Sequence, residues 1–539
     1  MTSSRDLTPG AQHSLLTRRQ FVEGALKVGV AGGAASFLSG CLFSGHKKTS
    51  PPSKLSGRIQ ILIGFAGGNS TGQRQVQQTL AEQFINAHPE VGIDFLRATS
   101  AALAETELKT LIARGQAPDI VLGIDLADLS RLVDQHLWLD LHPFLRGGAV
   151  STAAWLPVAR SAAALGTYYG NSSVVPALAV GVHDHALAYN PTLFARAGVA
   201  PPPASWDQSS WTFGGAFLDA ARRLTIDTAG RASLDASFDP THIAQFGVAR
   251  LDPEAMLLSY AGHLYDASNK RATLAGSGAI AGAQFAADLV SRYHVQPTAA
   301  QLAALAAASG GAASGSGTTT TTRPTTSTTQ GRTTTSTTQG RTTTTMPRPT
   351  TTTLPSTPSD PALVAWRAGK LAMIEMCSCE IASGYGMDLP FPVKAAALPS
   401  GPARRFCRLE PTLATIVAAS TQHQLAFEVL DFFAVNAANE RQLAYGGFGT
   451  MPALSANLAS FGPATKSATG VDPSVWLAGL PGASAEIDAW TPAFTGVQAL
   501  ITSALAKVLS GTPAATVMPQ LQAQAQAQID AWLRTHKLP

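Results

Sequence analysis

The stretch LKTLIARGQAPDIVLGIDLADLSRLVDQHLWLDLHPFL, residues 108–145, holds the alternation that decides the fold. It opens inside a helical run, Glu105 to Arg114, and turns at Gly115. Pro118-Asp119 then starts a compact apolar strand, DIVLGID, at 119–125. A short apolar run bounded by turn residues reads as a buried strand. Upstream, RIQILIGFAGG at 58–68 is a second such strand and runs into glycines. QRQVQQTLAEQFIN at 73–86 places Val76, Leu80, Phe84 and Ile85 near one helical face, and VGIDFLR follows as another strand. The order strand–helix–strand–helix–strand predicts a parallel or mixed sheet covered by helices, an α/β fold.

The remainder of the chain divides by composition. Residues 42–57 form a polar spacer. Residues 310–359 are threonine-rich; a nine-residue phrase recurs there, Ser327 as Ser336 and Gln330 as Gln339, with no apolar residue to build a core. This segment reads as an extended insertion or linker, and O-glycosylation is an open option. Helices are expected at 422–443, 496–509 and 513–534, where Leu521, Ala525, Ile529 and Leu533 share a face. At 539 residues the chain is too long for one ordinary core, so two lobes are expected.

The N-terminus is a separate signal. Arg18 and Arg19 precede a short run of small and apolar residues, Gly24 to Leu38, which ends at Ser39, Gly40 and Cys41. The run is short for a membrane span, about 20 residues, and has the layout of an export signal. The paired arginines resemble the twin-arginine type, with general secretory export the alternative. Leu38-Ser39-Gly40-Cys41 resembles the lipobox of bacterial lipoproteins, which implies lipidation of Cys41 and a body held at the extracytoplasmic membrane face.

Net charge is +4, but the leader and the threonine-rich segment carry that excess and the remaining body is slightly acidic. Nucleic-acid binding is a poor fit. Cys377, Cys379 and Cys407 remain after Cys41. Cys377 and Cys379 are expected on one face of a strand, and either has Cys407 as a disulfide partner; unpaired thiols are the alternative. A metal site on these cysteines lacks a CxxC pair and a histidine at ligand spacing. The motif HDH at 183–185 offers two histidines on one strand face but no third ligand. No metal and no cofactor are therefore assigned, and no catalytic residue: phosphate-loop, dinucleotide, zinc-protease and GxSxG motifs are all lacking. Aspartates 119, 125, 128 and 134 give no defensible pair for glycoside hydrolysis.

Binding features are easier to find. Tyr445, Gly446, Gly447 and Phe448 stand in YGGFGTMP, Trp366 in WRAGKLAMIEM, Trp490 in DAWTP, and Trp476 nearby. Aromatic faces stack on sugar rings, and glycines allow close backbone approach. Tyr445 and Trp490 are the preferred pair. Gly67, Gly68 and Asn69 end the first strand and offer backbone donors and an amide.

Several segments, in order, resemble the extracellular solute-binding proteins of ABC importers, family 1, which includes many sugar binders. The resemblance rests on Gly115, Pro118-Asp119 and Leu139-Asp140-Leu141 in 108–145. It continues with Tyr189-Asn190, Leu193-Phe194, Ala197-Gly198 and Pro202 through Trp206 in 174–206. Gly369, Lys370, Ala372 and Met373 in 366–376 and the run 425–453 complete it. It implies a two-lobe periplasmic-binding-protein-like fold of type II with the ligand cleft between the lobes. The expected layout is an export signal at 1–40 with Cys41 after it, and a spacer at 41–57. The first part of lobe 1 follows at 58–180, mainly lobe 2 at 181–309, the insertion at 310–359, and the remainder of both lobes at 360–534. The expected function is a lipid-anchored, monomeric, non-enzymatic solute-binding component that closes on a carbohydrate and delivers it to a permease. A solute sensor or surface scaffold is the alternative, and a secreted glycoside hydrolase is less favoured. The expected ligand contacts are Gly68, Asn69, His183, Asp184, Trp366, Tyr445, Gly446 and Trp490.

Overall fold

The computed structural model describes residues 55–133, 135–145, 152–157, 159–160, 174–312, 360–383, 389–486 and 493–535. The leader with Arg18, Arg19 and Cys41, most of the threonine-rich segment, and Trp490 lie outside the described residues.

Among the described residues, ten strands join in one sheet: β1 (Gly57–Ile63), β2 (Val91–Arg97), β3 (Ile120–Ile124), β4 (Leu178–Tyr189), β5 (Ile226–Asp227), β6 (Ile243–Ala249), β7 (Leu371–Cys377), β8 (Lys394–Ala396), β9 (Cys407–Ile416) and β10 (Ala483–Ser484). The order across the sheet is β2-β1-β3-β9-β4-β7-β6-β5, with β8 on β4 and β10 on β9. β1 pairs in parallel with both β2 and β3. The helices Thr71–Ala87 and Ala101–Ala113 make the two crossovers between them. Ser70 caps the first of these with a capping box to Gln73, which explains why the helix starts at Thr71, two residues before the run read from the sequence at 73–86.

The middle of the sheet explains the two-lobe form. β4 begins beside the first-lobe strands, with Leu178 opposite Ala414 of β9, and ends beside β7, with Tyr189 opposite Met373. β9 likewise pairs with β3 near Ile416 and reaches back to Cys407. Two strands therefore run from one half of the sheet into the other, and a register shift interrupts them between Ala179 and Gly181.

Each half has its own core. In the first, Ile59, Ile61, Ile63, Ile120 and Leu122 pack with Leu80 and Phe84 of the Thr71–Ala87 helix and with Leu430 and Phe433 of the His423–Ala434 helix. In the second, the two-residue period of a strand sends alternate side chains to opposite layers. Leu187 and Tyr189 face one layer with Met373 and Phe217, whereas Ala186 and Ala188 face the other with Ile374, Met376, Trp366 and Trp476. The helices Ser277–Ser291, Phe494–Leu509 and Ala514–Thr535 share a further cluster through Ala283, Ala287, Ile501, Leu505, Leu521 and Ile529.

Three local readings change. The helix expected over 422–443 breaks at Val435, because the Asn436 side chain accepts from the N–H groups of Ala438 and Asn439 and caps a new helix, Ala437–Gln442. β7 ends at Cys377, so Cys379 stands not on a strand but in the short helix Ser378–Ala382, which the Cys377 sulfur caps through the Glu380 N–H at 3.2 Å. The disulfide joins Cys377 to Cys379, and Cys407 is a buried free thiol. On either side of the insertion, the Ala299–Ala312 helix packs on the Pro361–Arg367 helix, with Leu302 and Leu305 against the Leu363 and Trp366 cluster. The chain thus leaves and re-enters the fold at one place.

Candidate functional site

Strand register locates the cleft. The C-terminal ends of the parallel strands β1, β2 and β3 are Ile63, Arg97 and Ile124, and Ile124 lies opposite Leu413, itself opposite Ala179. In the second half β6 and β7 run parallel and end at Ala249 and Cys377, with Cys377 opposite His185. Both sets of carboxyl ends therefore approach the same piece of β4, from Val180 to Asp184, from opposite sides. In open α/β sheets, ligands bind outside the carboxyl ends of the strands, and here two such edges face one crossing segment.

The floor of this cleft is a charged network on the crossing strands. His183 Nε2 is 2.8 Å from Glu410 Oε2. His185 Nδ1 is 3.0 Å from Glu375 Oε1, and its Nε2 is 3.2 Å from Glu410 Oε2. Arg408 lies 3.3 Å from Asp252, 3.8 Å from Glu254 and 3.6 Å from Glu410. Burial alone would raise the Glu410 pKa, but hydrogen bonds from His183 and His185 hold it well below the ordinary range. Burial works against protonation of His185, yet Glu375 and Glu410 together raise its pKa well above the usual value. Burial raises Asp252, against the pull of Arg408. Asp125, at the end of β3, is raised by burial, opposed by the Asp128 N–H it accepts at 2.7 Å; it feels both Glu410 and His183. Desolvation followed by the Asp125 charge pushes Asp128 up to about 7.

The anticipated contacts fall into three groups. Gly68 and Asn69 sit on the turn after β1. The Gly68 carbonyl accepts from Gln77 Nε2 at 3.0 Å and from Arg97 at 3.2 Å, and Asn69 Oδ1 accepts from Arg97 at 3.3 Å. Gly68 has φ +80°, and a Cβ there would lie 2.8 Å from Phe448 Cε1, so only glycine fits. Gln77 also donates to the Gly447 carbonyl at 3.2 Å, which ties this turn to the Tyr445–Phe448 segment. In that segment Gly446 is pressed against Val76, where a Cβ would come within 2.9 Å of Cγ2. The Tyr445 ring meets Phe461 edge-on at 5.7 Å, and burial raises its hydroxyl pKa. These two residues pack the first lobe and hold the turn in place.

His183 and Asp184 are neighbours with opposite surroundings, as strand alternation requires. The half-buried His183 joins the charged floor, whereas Asp184 is 0 % exposed. Its N–H donates to Ser378 Oγ at 3.3 Å, and its carboxyl faces Cys407 and Gly479, where burial raises its pKa well above the ordinary value. Trp366 is also 0 % exposed, in the second-lobe core, edge-on to Phe391 at 5.1 Å. A fully enclosed side chain cannot stack on a solute, so neither Asp184 nor Trp366 is carried into the ligand set.

Residues missed in the sequence are Arg97, Asp125, Arg408 and Glu410. Asp125 had a local signal, as the polar residue ending an apolar strand. Arg408 and Glu410 had none, because only the pairing of β9 with β4 sets Glu410 opposite His183.

A polar cleft between two sheet edges, bridged by two strands, suits reversible capture of a small polar solute. A model of the bacterial extracellular solute-binding proteins matches residues 67–440. The chain belongs to that family. As a family member it is an extracytoplasmic solute-binding protein, and the family comprises binding proteins rather than enzymes. Among the described residues no helix is long and apolar enough to cross a membrane. No curated protein matches the chain. Solved structures share the two-lobe fold of this solute-binding protein. An ABC substrate-binding protein, Lmo0181 from Listeria monocytogenes, in complex with cycloalternan, aligns with TM-score 0.60 at 15% identity, covering 89% of this chain and 98% of that one. UspC of M. tuberculosis aligns with TM-score 0.58 at 20% identity over 87% and 100%. The MalE maltose/maltodextrin-binding domain of Bdellovibrio bacteriovorus, bound to maltotriose, aligns with TM-score 0.56 at 13% identity over 88% and 100%.

Proposed function

We propose that this protein is the carbohydrate-capturing component of an ABC importer, held at the outer membrane face by lipid on Cys41, acting as a monomer and handing its solute to permease subunits. The observation that carries the sugar assignment is the facing of two strand-end edges across the His183–Glu410 floor. Ionised carboxylates accept hydrogen bonds from hydroxyl groups, Arg408 and Asn69 donate them, and such groups fix the orientation of a polyhydroxylated solute. The proposed contact set is Asn69, Asp125, His183, Arg408 and Glu410, with Trp490 stacking on a ring face. Gly68, Gly446 and Tyr445 shape the turn behind Asn69. The cycloalternan and maltotriose complexes of structural relatives support an oligosaccharide as the first ligand to try.

Calorimetry on the chain lacking residues 1–41, with a panel of glucose and mannose oligosaccharides, monosaccharides and polyols, tests the reading. The expected result is one site for at least one saccharide, recovered unchanged by mass analysis, and affinity at least tenfold weaker in Asn69→Ala and Trp490→Ala. Binding by no member of the panel, or equal affinity in both variants, would overturn the carbohydrate assignment.

A further inference from the structure

Two partial motifs, each insufficient in sequence, meet in the fold. β4 and β7 are antiparallel with His185 opposite Cys377, and His183 stands two residues before His185 on β4, beside the chain as it leaves β7. The chain turns into the Ser378–Ala382 helix there, and the two sulfurs and one ring nitrogen of His183 lie within 4.8 Å of one another. His183 Nε2 is engaged by Glu410 at 2.8 Å, while its Nδ1 is buried with no hydrogen-bond partner among the described residues. A carboxylate on one imidazole nitrogen, with the other nitrogen unused, is the arrangement that orients a metal-bound histidine.

We propose that Cys377, Cys379 and His183 form a redox-gated zinc site at the hinge, shut while the cysteines are a disulfide and able to bind zinc once they are reduced. A dithiol reductant supplies the two electrons and two protons: its own thiols become a disulfide, and the Cys377–Cys379 bond becomes two thiols. Zinc then displaces both thiol protons. Two thiolates and a neutral imidazole leave the divalent ion with no net charge, which suits a half-buried site, and soft sulfur ligands favour zinc over the hard cations. Three protein ligands leave one tetrahedral position for water or a solute oxygen. The site touches both lobes. Ser378, between the two cysteines, accepts from the Asp184 N–H on β4. A Cβ at Gly449 of the first lobe would lie 2.9 Å from Ser383 Oγ. Loading the site therefore ties the crossing strand to the second-lobe helix. This inference does not depend on the solute being a sugar.

The test uses the chain lacking residues 1–41, treated with a phosphine reductant and freed of metal. Zinc is titrated against a chromophoric chelator, and cobalt serves as the spectroscopic probe. The reduced protein should take up one zinc per chain and give a thiolate-to-cobalt charge-transfer band. The oxidised protein should bind at least a hundredfold more weakly. Cys379→Ser and His183→Ala should each lose at least tenfold in affinity, and Cys407→Ser should match the parent, with circular dichroism confirming that all are folded. Absence of stoichiometric zinc in the reduced protein, equal uptake by the oxidised one, or equal affinity in folded Cys379→Ser and His183→Ala would each overturn the proposal.

Discussion

Glu440 is a fully buried carboxylate on which three donors converge: the N–H groups of Ala453 at 2.5 Å and Leu454 at 3.1 Å, and Asn457 Nδ2 at 2.7 Å. Burial outweighs them and raises its pKa from the ordinary 4.5 to about 7. A carboxyl raised in the folded state binds its proton more tightly there than in the unfolded chain. Its contribution is thus complete below about pH 4.5 and is lost as pH rises through about 7, up to about 3 kcal/mol across that window. Urea unfolding between pH 5 and 8 should show parent stability falling with pH more steeply than that of Glu440→Gln; parallel curves would show that the donors win over burial. Trp366 makes a second prediction. It fills the second-lobe core, and its indole N–H has no partner among the described residues, so it acts as apolar volume. Trp366→Ala should cost about 3–5 kcal/mol in urea unfolding while the folded fraction keeps its solute affinity; a variant of parental stability with weakened binding would place Trp366 back among the contacts. Trp366 and Trp490 look alike in sequence, since both stand near glycine or proline in otherwise small-residue surroundings. What makes the Trp366 indole an interior one is which helix face the neighbouring layers cover, and that is a property of packing rather than of local composition. The same limit hid Glu410, whose role depends on a strand partner more than two hundred residues away.

At the scale of elements, strands and helices with a clear period were legible: the apolar runs that became β1, β2 and β3, and the two C-terminal helices. Breaks were harder to read, because Asn436 and Cys377 end one element and cap the next with a single side chain. The hinge was legible only in outline. The expected boundary between 58–180 and 181–309 falls at GVHDH, but the reason for its glycine emerges from the fold. A Cβ at Gly181 would collide with Thr450 Oγ1, on the segment bridged to β4 through Val182 and Met451. Gly181→Ala should therefore destabilise the protein by about 1–3 kcal/mol. Combining it with Thr450→Ala, which removes the clashing oxygen, should recover part of that loss in thermal unfolding. Strict additivity of the two losses would mean that Gly181 is there for backbone freedom rather than for this contact.

For the whole molecule, the decisive feature is that the two halves of the sheet share β4 and β9 and otherwise keep separate cores. Such a body can bend at the crossing without repacking either lobe, and the register shift between Ala179 and Gly181 lies at the place where bending is cheapest. Solute held between facing edges touches both lobes only when they approach, so it favours the closed form by the difference in contact energy. Moving such an equilibrium from 1:99 to 99:1 needs about 5.5 kcal/mol, and a micromolar ligand carries about 8 kcal/mol in all. A saccharide of that affinity can therefore drive closure, provided its contacts are divided between Asn69 and Asp125 of the first lobe and Arg408, which meets Asp252 and Glu254 of the second. Small-angle scattering should show a smaller radius of gyration at saturating saccharide than without it. The shift should be reduced in Gly181→Ala, whose added methyl wedges the crossing segment against Thr450. Equal radii with and without saturating, calorimetrically confirmed ligand would show that the solute enters lobes already closed, and would remove hinge bending from the account of capture.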